Sequence, residues 1–452
     1  MTSFSTPQEQ EQPAIMPETK PSLRQRALRS SVLTFINHGF SQALRLGGNL
    51  VLTRLLFPEA FGLMALVQSF LIGLEMFSDV GIAASIVHSK RGDDTEYVNT
   101  AWTVQVVRGA MLWGVACLIA LPAAWFYRQD MLAGLLPAVG LTSMIGGLQS
   151  TKMYTADRHL NLDRLVVLEL GCNVLGLSAT ILLAWLLRSV WALVLGQIFG
   201  VSVKVLASHF WLQGERNRFH WDKECYRELR SFGQWIILST ALGYLVIQGD
   251  RLVLGRLLDV KFLGIYTVAY TFSILPTEVI RQVGAKVLFP SYSELMREHP
   301  EKLYATLKKS RALVLAASWL PCVLLIFLGH WLIALYDPRY AEATWMLRTL
   351  AVGTLGMTLE LSYDGVLLAT GNSRLMAILL GVQAVVKFSA MLIGYKLGGQ
   401  HGVVMGLALV SWLCYPANAL MLKRIGYWQP ELDLPLIGAG ALLALLAYQL
   451  SF

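Results

Sequence analysis

Apolar runs of roughly 20 residues, each long enough for a helix to cross a bilayer, follow one another along this chain with only short polar breaks. Inside hydrocarbon a backbone must satisfy its own hydrogen bonds, which leaves helices or a closed barrel, and unalternating runs of this length mean helices. The runs fall near 30–54, 61–87, 101–126, 131–151, 165–187, 190–212, 231–255, 262–288, 310–335, 344–369, 375–396, 402–422 and 434–450. Two bundles of six plus a short thirteenth helix is the simplest division. It gives a disordered cytoplasmic tail over 1–29, an N-terminal six-helix lobe over 30–213, a cytoplasmic linker over 214–230, a C-terminal six-helix lobe over 231–424 and a terminal helix over 425–452. With 55% hydrophobic and 15% charged residues and a mean hydropathy of +0.53, the 452-residue chain is too apolar for a soluble protein.

Two stretches repeat each other at a constant offset of 202 residues: LVLTRLLFPEAFGLMALVQSF at Leu50 to Phe70, and LVLGRLLDVKFLGIYTVAYTF at Leu252 to Phe272. Eight of 21 positions are identical. Leucines match by composition alone, but Arg54 with Arg256, Gly62 with Gly264 and Phe70 with Phe272 keep register across a charged turn. Duplicated halves in a polytopic membrane protein point to a transporter, since related bundles meeting at an interface provide a central site that opens to either side.

The net charge of +8 would suggest nucleic acid in a soluble domain, but no basic-aromatic domain is present and nucleic acid is not expected as a partner. Most of the 37 Lys and Arg fall in the tail and in alternate loops, among them Lys90, Arg91, Arg158, Arg164, Arg216, Arg218, Lys308, Lys309, Lys423 and Arg424. This is the positive-inside pattern for a cytoplasmic N-terminus. The first apolar run is too long for a signal-peptide core and carries Arg45, so a retained span is expected. The five cysteines form no CxxC pair, and neither a disulfide framework, a metal site nor a cofactor is expected. No HExxH, GxSxG or P-loop occurs, and no loop is long enough for a soluble catalytic domain, so the chain is read as no enzyme. Gly398, Gly399 and Gly402 read as a turn between spans.

Charges at membrane depth usually face the protein interior or a hydrated cavity. Arg45, Lys204 and Lys387 fall close to the midplane and are read as lining a cavity; Arg251 and Asp250 lie within the seventh span. Arg108, Arg281, Lys286 and Asp79 lie toward inner span ends, where basic chains reach the interface and Asp caps or pairs. Glu75 with Asp79, and Glu360 with Asp364, are i and i+4 and share a helical face. Paired carboxylates favour taking up a proton or cation, as a coupled carrier requires, and pairing with a basic residue on a neighbouring helix is the other reading. Glu278 and Arg281, at i and i+3, are placed to neutralise each other. Trp102, Tyr244, Tyr266, Tyr270 and Tyr363 are candidates to stack on sugar faces, with core packing as the alternative.

Several stretches resemble a known family: FSDVGIAASIVH (Phe77 to His88), YVNTAW (Tyr97 to Trp102), LPAAWFY (Leu121 to Tyr127), RLLFPEAFGLMALV (Arg54 to Val67) and TADRHLNLDRLVVLE (Thr155 to Glu169). In the second half GDRLVLGRLLDVKFLGIYTVAY (Gly249 to Tyr270), VLFPSYSEL (Val287 to Leu295) and Pro321 continue the pattern. Their order and spacing resemble bacterial polysaccharide flippases of the Wzx type, most similarly the colanic-acid and exopolysaccharide exporters, over about residues 28 to 425. The resemblance implies an all-α member of the multidrug/oligosaccharidyl-lipid/polysaccharide (MOP) exporter superfamily, with two six-helix lobes forming a V that opens alternately to either side. It implies a polyprenyl-diphosphate-linked oligosaccharide as cargo, flipped from the cytoplasmic to the periplasmic leaflet of the bacterial inner membrane. Polymerase and glycosyltransferases of the same pathway are implied as partners alongside membrane lipids. The matched family positions are Asp250, Arg251 and the Asp79-Val80-Gly81 motif. The chain ends just after its thirteenth span, which leaves the role of the C-terminal helices open.

The expected site is a set of lumen cations, Arg45, Lys204, Arg251, Lys387, Arg108 and Arg281, for the anionic cargo. Glu75, Asp79, Asp250, Glu278, Glu360 and Asp364 are expected as coupling or structural acids. A cation-coupled small-molecule or drug antiporter of the same superfamily is the alternative function.

Overall fold

The structure, a computed structural model, describes residues 23–79, 81–159, 162–227, 237–371 and 373–451. The described residues are helices joined by short turns, with no strand. The first half holds α1 (Leu23–Leu55), α2 (Pro58–Ser78), α3 (Ile82–His88), α4 (Thr95–Tyr127), α5 (Leu132–Gly147), α6 (Lys152–Arg158), α7 (Leu162–Leu187) and α8 (Trp191–Phe210). The second half holds α9 (Ile237–Leu257), α10 (Val260–Ser273), α11 (Leu275–Val283), a π turn at Gly284–Leu288, α12 (Phe289–Glu298), α13 (Pro300–Ala334), α14 (Ala343–Leu361), α15 (Asp364–Ala369), α16 (Ser373–Arg424) and α17 (Pro430–Ser451).

Among the described residues seven helices are long and apolar enough to cross a membrane, or nine when two bent pairs each count as one span. The bent pairs are α5 with α6, at 59°, and α10 with the helices that follow it, at 43°. α16 contains two passes, because Gly398 and Gly399 leave helical geometry within it and Gly399 takes a φ of 58°. The expected turn between spans lies there. α1, α9 and α14 complete the 13 expected runs but fall below that apolar threshold, since they carry Arg45, Asp250, Arg251, Arg348 and Glu360.

Local chemistry sets the ends. Pro58 opens α2 behind an extended Phe57, where its missing N–H is unneeded. Asp94 caps α4 by accepting from the Glu96 N–H. The expected run over 61–87 is cut at Ser78: Asp79 Oδ1 accepts the Gly81 N–H at 2.9 Å, an Asx turn that competes with helix continuation. Val80 lies outside the described residues. Residues 1–22 of the expected tail also lie outside them, and 23–29 are helical. Leu, Arg, Gln and Ala there favour helix, which moves the start of α1 ahead of the expected boundary at 30.

The linker is docked. The backbone N–H groups of Arg218, His220 and Asp222 donate to Asn99 Oδ1, Thr103 Oγ1 and Thr100 Oγ1, respectively, all on the first turns of α4. Asn217 adds bonds to Ser150 and Thr151. Alternate N–H groups meeting one helical face define an extended strap over 217–222; residues 228–230 of the expected linker lie outside the described residues.

The two repeats pack against each other. Pro58 and Val260, like Gly62 and Gly264, are equivalent under the 202-residue offset, and a Cβ on Gly62 would collide with the Val260 carbonyl while a Cβ on Gly264 would collide with the Pro58 carbonyl. Such reciprocal contacts are those of an isologous interface about a two-fold axis. The other matched residues obey the same symmetry. Arg54 donates to the Leu335 carbonyl at the end of α13 at 2.9 Å, and Arg256 lies over the Phe126 ring at the end of α4, 5.4 Å from its centroid. Phe70 meets Tyr127 edge-on at 5.8 Å, and Phe272 meets Tyr336 edge-on at 5.6 Å. One hydrophobic core runs through the junction, including Leu63, Leu66 and Val67 of α2 with Leu263, Tyr266 and Val268 of α10.

The thirteenth helix, α17, is fixed at both ends. Arg311 of α13, fully buried, pairs with Asp433 at 2.7 Å and donates to Ser362 Oγ at 2.9 Å and Gln429 Oε1 at 3.0 Å. Tyr363 and Tyr415 donate to the other Asp433 oxygen. At the far end Arg348 donates to the Leu450 carbonyl.

Candidate functional site

Where α2 meets α9 and α10 the halves are tightly joined; on the other flank, α1 and α7 of the first half face α11 of the second across a cleft of about 510 Å³. α1 presents His38, Ser41, Gln42 and Arg45 to it, the i, i+3, i+4, i+7 spacing that keeps side chains on one helical face. Asn173 of α7 joins them, donating to Ser41 Oγ at 3.3 Å, and Glu278 of α11 lines the opposite wall. Arg45 is exposed. Among the described residues neither Arg45 nor Glu278 makes a hydrogen bond or ion pair. The His38 Nε2 atom is buried without a partner.

Of the other expected cations, Lys204, Lys387, Arg251 and Arg108 are occupied. Lys204 of α8 lies 3.8 Å from Glu169 of α7, whose second oxygen accepts from Asn37 at 2.8 Å. Lys387 of α16 donates to Asp250 of α9 at 3.1 Å and to the Val246 carbonyl at 2.5 Å. Arg251 donates to Gln248 at 3.0 Å, stands 4.0 Å from Asp250 and lies over the Tyr270 ring at 4.6 Å. Tyr266 donates to the second Asp250 oxygen at 2.7 Å. Asp250 is therefore enclosed by two cations and a hydroxyl, and the cavity beside it measures only about 100 Å³. Gln248 also approaches Ser69 of α2 at 3.2 Å, and Tyr244 donates to the Ser69 carbonyl at 3.0 Å. This network binds the halves together.

Arg108 of α4 donates to Ser78 Oγ at 2.9 Å and to the Glu75 carbonyl at 2.8 Å. It satisfies a carbonyl in the last turn of α2, where a cation also complements the helix dipole. Glu75 and Asp79 are both exposed and form no shared buried pair: Glu75 accepts from Ser143 at 3.1 Å, and Asp79 is taken by its own turn. The physical reason is that the helix ends between them.

Glu360 and Asp364 do line one cavity, of about 210 Å³, together with Arg281, Gln383 and Asn418. Asn418 donates to Glu360 at 2.7 Å. Arg281 turns into this cavity while Glu278 faces the cleft, so the two do not neutralise each other. Among the expected stacking aromatics, Trp102, Tyr244, Tyr266 and Tyr363 are buried in packing contacts, and Tyr270 carries Arg251.

Two features escaped the sequence reading. His38 and Asn173 are neutral and carry no signal at membrane depth, although the spacing of His38, Ser41 and Gln42 with Arg45 shows the stripe. Arg311 sits at a span end beside Lys308 and Lys309, so it reads as a loop charge, yet it is fully buried.

The model of the family described as "Polysaccharide biosynthesis protein" matches residues 51–341. The chain belongs to that family. Among its relatives are the teichuronic acid biosynthesis protein TuaB of Bacillus subtilis, 23% identical over 77% of this chain and 71% of the relative, and the lipopolysaccharide biosynthesis protein WzxC of Escherichia coli, 21% identical over 80% and 73%. Two solved structures share the fold: an inward-facing multidrug resistance MATE family transporter of the MOP superfamily, at a TM-score of 0.68 and 15% identity over 85% of this chain and 95% of that one, and the lipid II flippase MurJ in an inward closed conformation, at 0.68 and 13% over 93% and 98%. The protein is a multi-pass membrane protein with the fold of the MOP superfamily.

Proposed function

We propose that this polysaccharide biosynthesis protein is a flippase, not an enzyme, that moves a polyprenyl-diphosphate-linked oligosaccharide from the cytoplasmic to the periplasmic leaflet of the bacterial inner membrane. The chain carries its N-terminus in the cytoplasm, and the lobes over 30–213 and 231–424 rock about the α2–α10 junction. The observation that carries this reading is Arg45, an unpartnered guanidinium in a 510 Å³ cleft between the halves, on a stripe with His38, Ser41, Gln42 and Asn173. A guanidinium binds phosphate oxygens in a fork geometry, and side-chain amides, hydroxyls and imidazoles are the groups that pair with sugar hydroxyls. Lys204, Lys387 and Arg251 hold acids within the bundle; Arg108 braces the end of α2, and Arg281 lines the second cavity with Asp364. The names of WzxC and of the lipid II flippase MurJ support the assignment. Polymerase and glycosyltransferases of the pathway are the expected partners.

The test is flipping of a fluorescent polyprenyl-diphosphate sugar by the full-length protein in liposomes. Movement above protein-free liposomes is expected, with Arg45→Gln reducing it by about tenfold or more, the loss that follows when a charge-assisted contact is removed. Wild-type flipping no faster than in empty liposomes would overturn the proposal. The second reading, a cation-coupled small-molecule antiporter, is favoured by the cavity that Glu360, Asp364 and Asn418 share; uptake of a cationic dye driven by a proton or sodium gradient distinguishes it.

A further inference from the structure

Two opposite charges remain without partners on facing walls of the cleft. Arg45 belongs to α1 of the first half, Glu278 to α11 of the second. Glu169 is engaged by Lys204 and Asp250 by Lys387, so neither cation is left to neutralise Glu278. Arg281, one turn further along α11, turns into the other cavity beside Asp364. A carboxylate and a guanidinium held apart across an open cleft attract, and the attraction grows as the walls approach and water leaves.

We infer that Glu278 is the cleft's own competitor for Arg45: as the lobes close over the cleft, the Glu278 carboxylate takes the Arg45 guanidinium and displaces the anionic group held there. This rests on the reading that Arg45 holds the cargo's phosphate. Its consequence is an affinity that differs between states. With the cleft open, Arg45 is free and binds the anion; with the cleft shut, Arg45 is occupied and the anion leaves toward the side then open. A carrier that loads on one side and discharges on the other needs a difference of this kind, because a site equally strong in both states shifts neither. A purely structural pair would already be formed in the present state, and it is not.

The experiment measures binding of undecaprenyl diphosphate to the full-length protein in lipid nanodiscs, alongside flipping in liposomes. Glu278→Gln removes the competitor, so binding should tighten by about tenfold, a typical coupling between states, while flipping slows because release is lost. Glu278→Asp, which keeps the charge, should stay near wild type, and Arg45→Gln should lose binding. If Arg45→Gln loses binding and Glu278→Gln binds as wild type does, the competitor role is overturned and the flippase reading stands. If Arg45→Gln binds normally, the reading of the cleft itself falls. Should Glu278→Gln fail to fold, the double variant Arg45→Cys, Glu278→Cys with the five native cysteines replaced provides the measurement. Cross-linking of this pair in membranes is expected, and its absence where a junction pair cross-links overturns the inference.

Discussion

Arg311 and Arg45 are the same side chain put to opposite uses. Arg311 is enclosed by Asp433, Ser362 and Gln429, with the centroid of the Tyr363 ring 3.4 Å from its guanidinium carbon, so every nitrogen of the guanidinium has a partner. Removing one member of such a buried pair strands the other, and Arg311→Ala or Asp433→Asn should lower stability by about 3–5 kcal/mol. Thermal denaturation of the purified full-length protein checks both. Arg45 has no hydrogen-bond or ion-pair partner among the described residues, and Arg45→Gln should shift the melting midpoint little, within the about 0.5 kcal/mol usual for exposed positions, while flipping falls. The sequence marked Arg45, Lys204 and Lys387 alike by depth. Only the structure separated them, because Glu169 and Asp250 reach the two lysines from other helices.

At the scale of elements, α2 and α10 approach until only glycine fits at their crossing. Gly62→Val and Gly264→Val should each push the helices apart, since the atoms a Cβ would meet are backbone carbonyls that cannot rotate away. Each is expected to destabilise by about 1–3 kcal/mol, which thermal denaturation of the purified variants reads. The strap over 217–222 is a second element decided by side-chain bonds. Losing the Asn99, Thr100 and Thr103 acceptors removes three bonds worth about 1 kcal/mol each, so Asn99→Ala with Thr100→Val and Thr103→Val should free the strap. Limited proteolysis should then cut within 213–222 in the variant and spare the wild type. In sequence that stretch is a polar linker, and nothing in its own residues announces that α4 supplies acceptors at i, i+1 and i+4.

For the whole molecule, the proposed alternating access requires the α1–α13 contact to open when the cleft closes, and that contact is held by Arg54 on the Leu335 carbonyl and by Arg339 reaching the Thr53 and Arg54 carbonyls. Arg54→Cys with Leu335→Cys, in a background without native cysteines and bridged by a short bifunctional maleimide, should abolish flipping, whereas either cysteine alone treated with the same reagent should not. Full flipping by the bridged protein would show that the lobes do not part there. The sequence by itself determined the all-helical membrane fold and the duplication, because bilayer thickness demands apolar runs and because Arg, Gly and Phe in register left a mark that composition cannot imitate. The tertiary structure alone decided which membrane-depth charges are satisfied, where the cleft lies and what fastens α17. Surfaces facing lipid and surfaces facing other helices are equally apolar, so hydropathy does not encode the rotation of each helix about its axis, and that rotation sets which charge meets which.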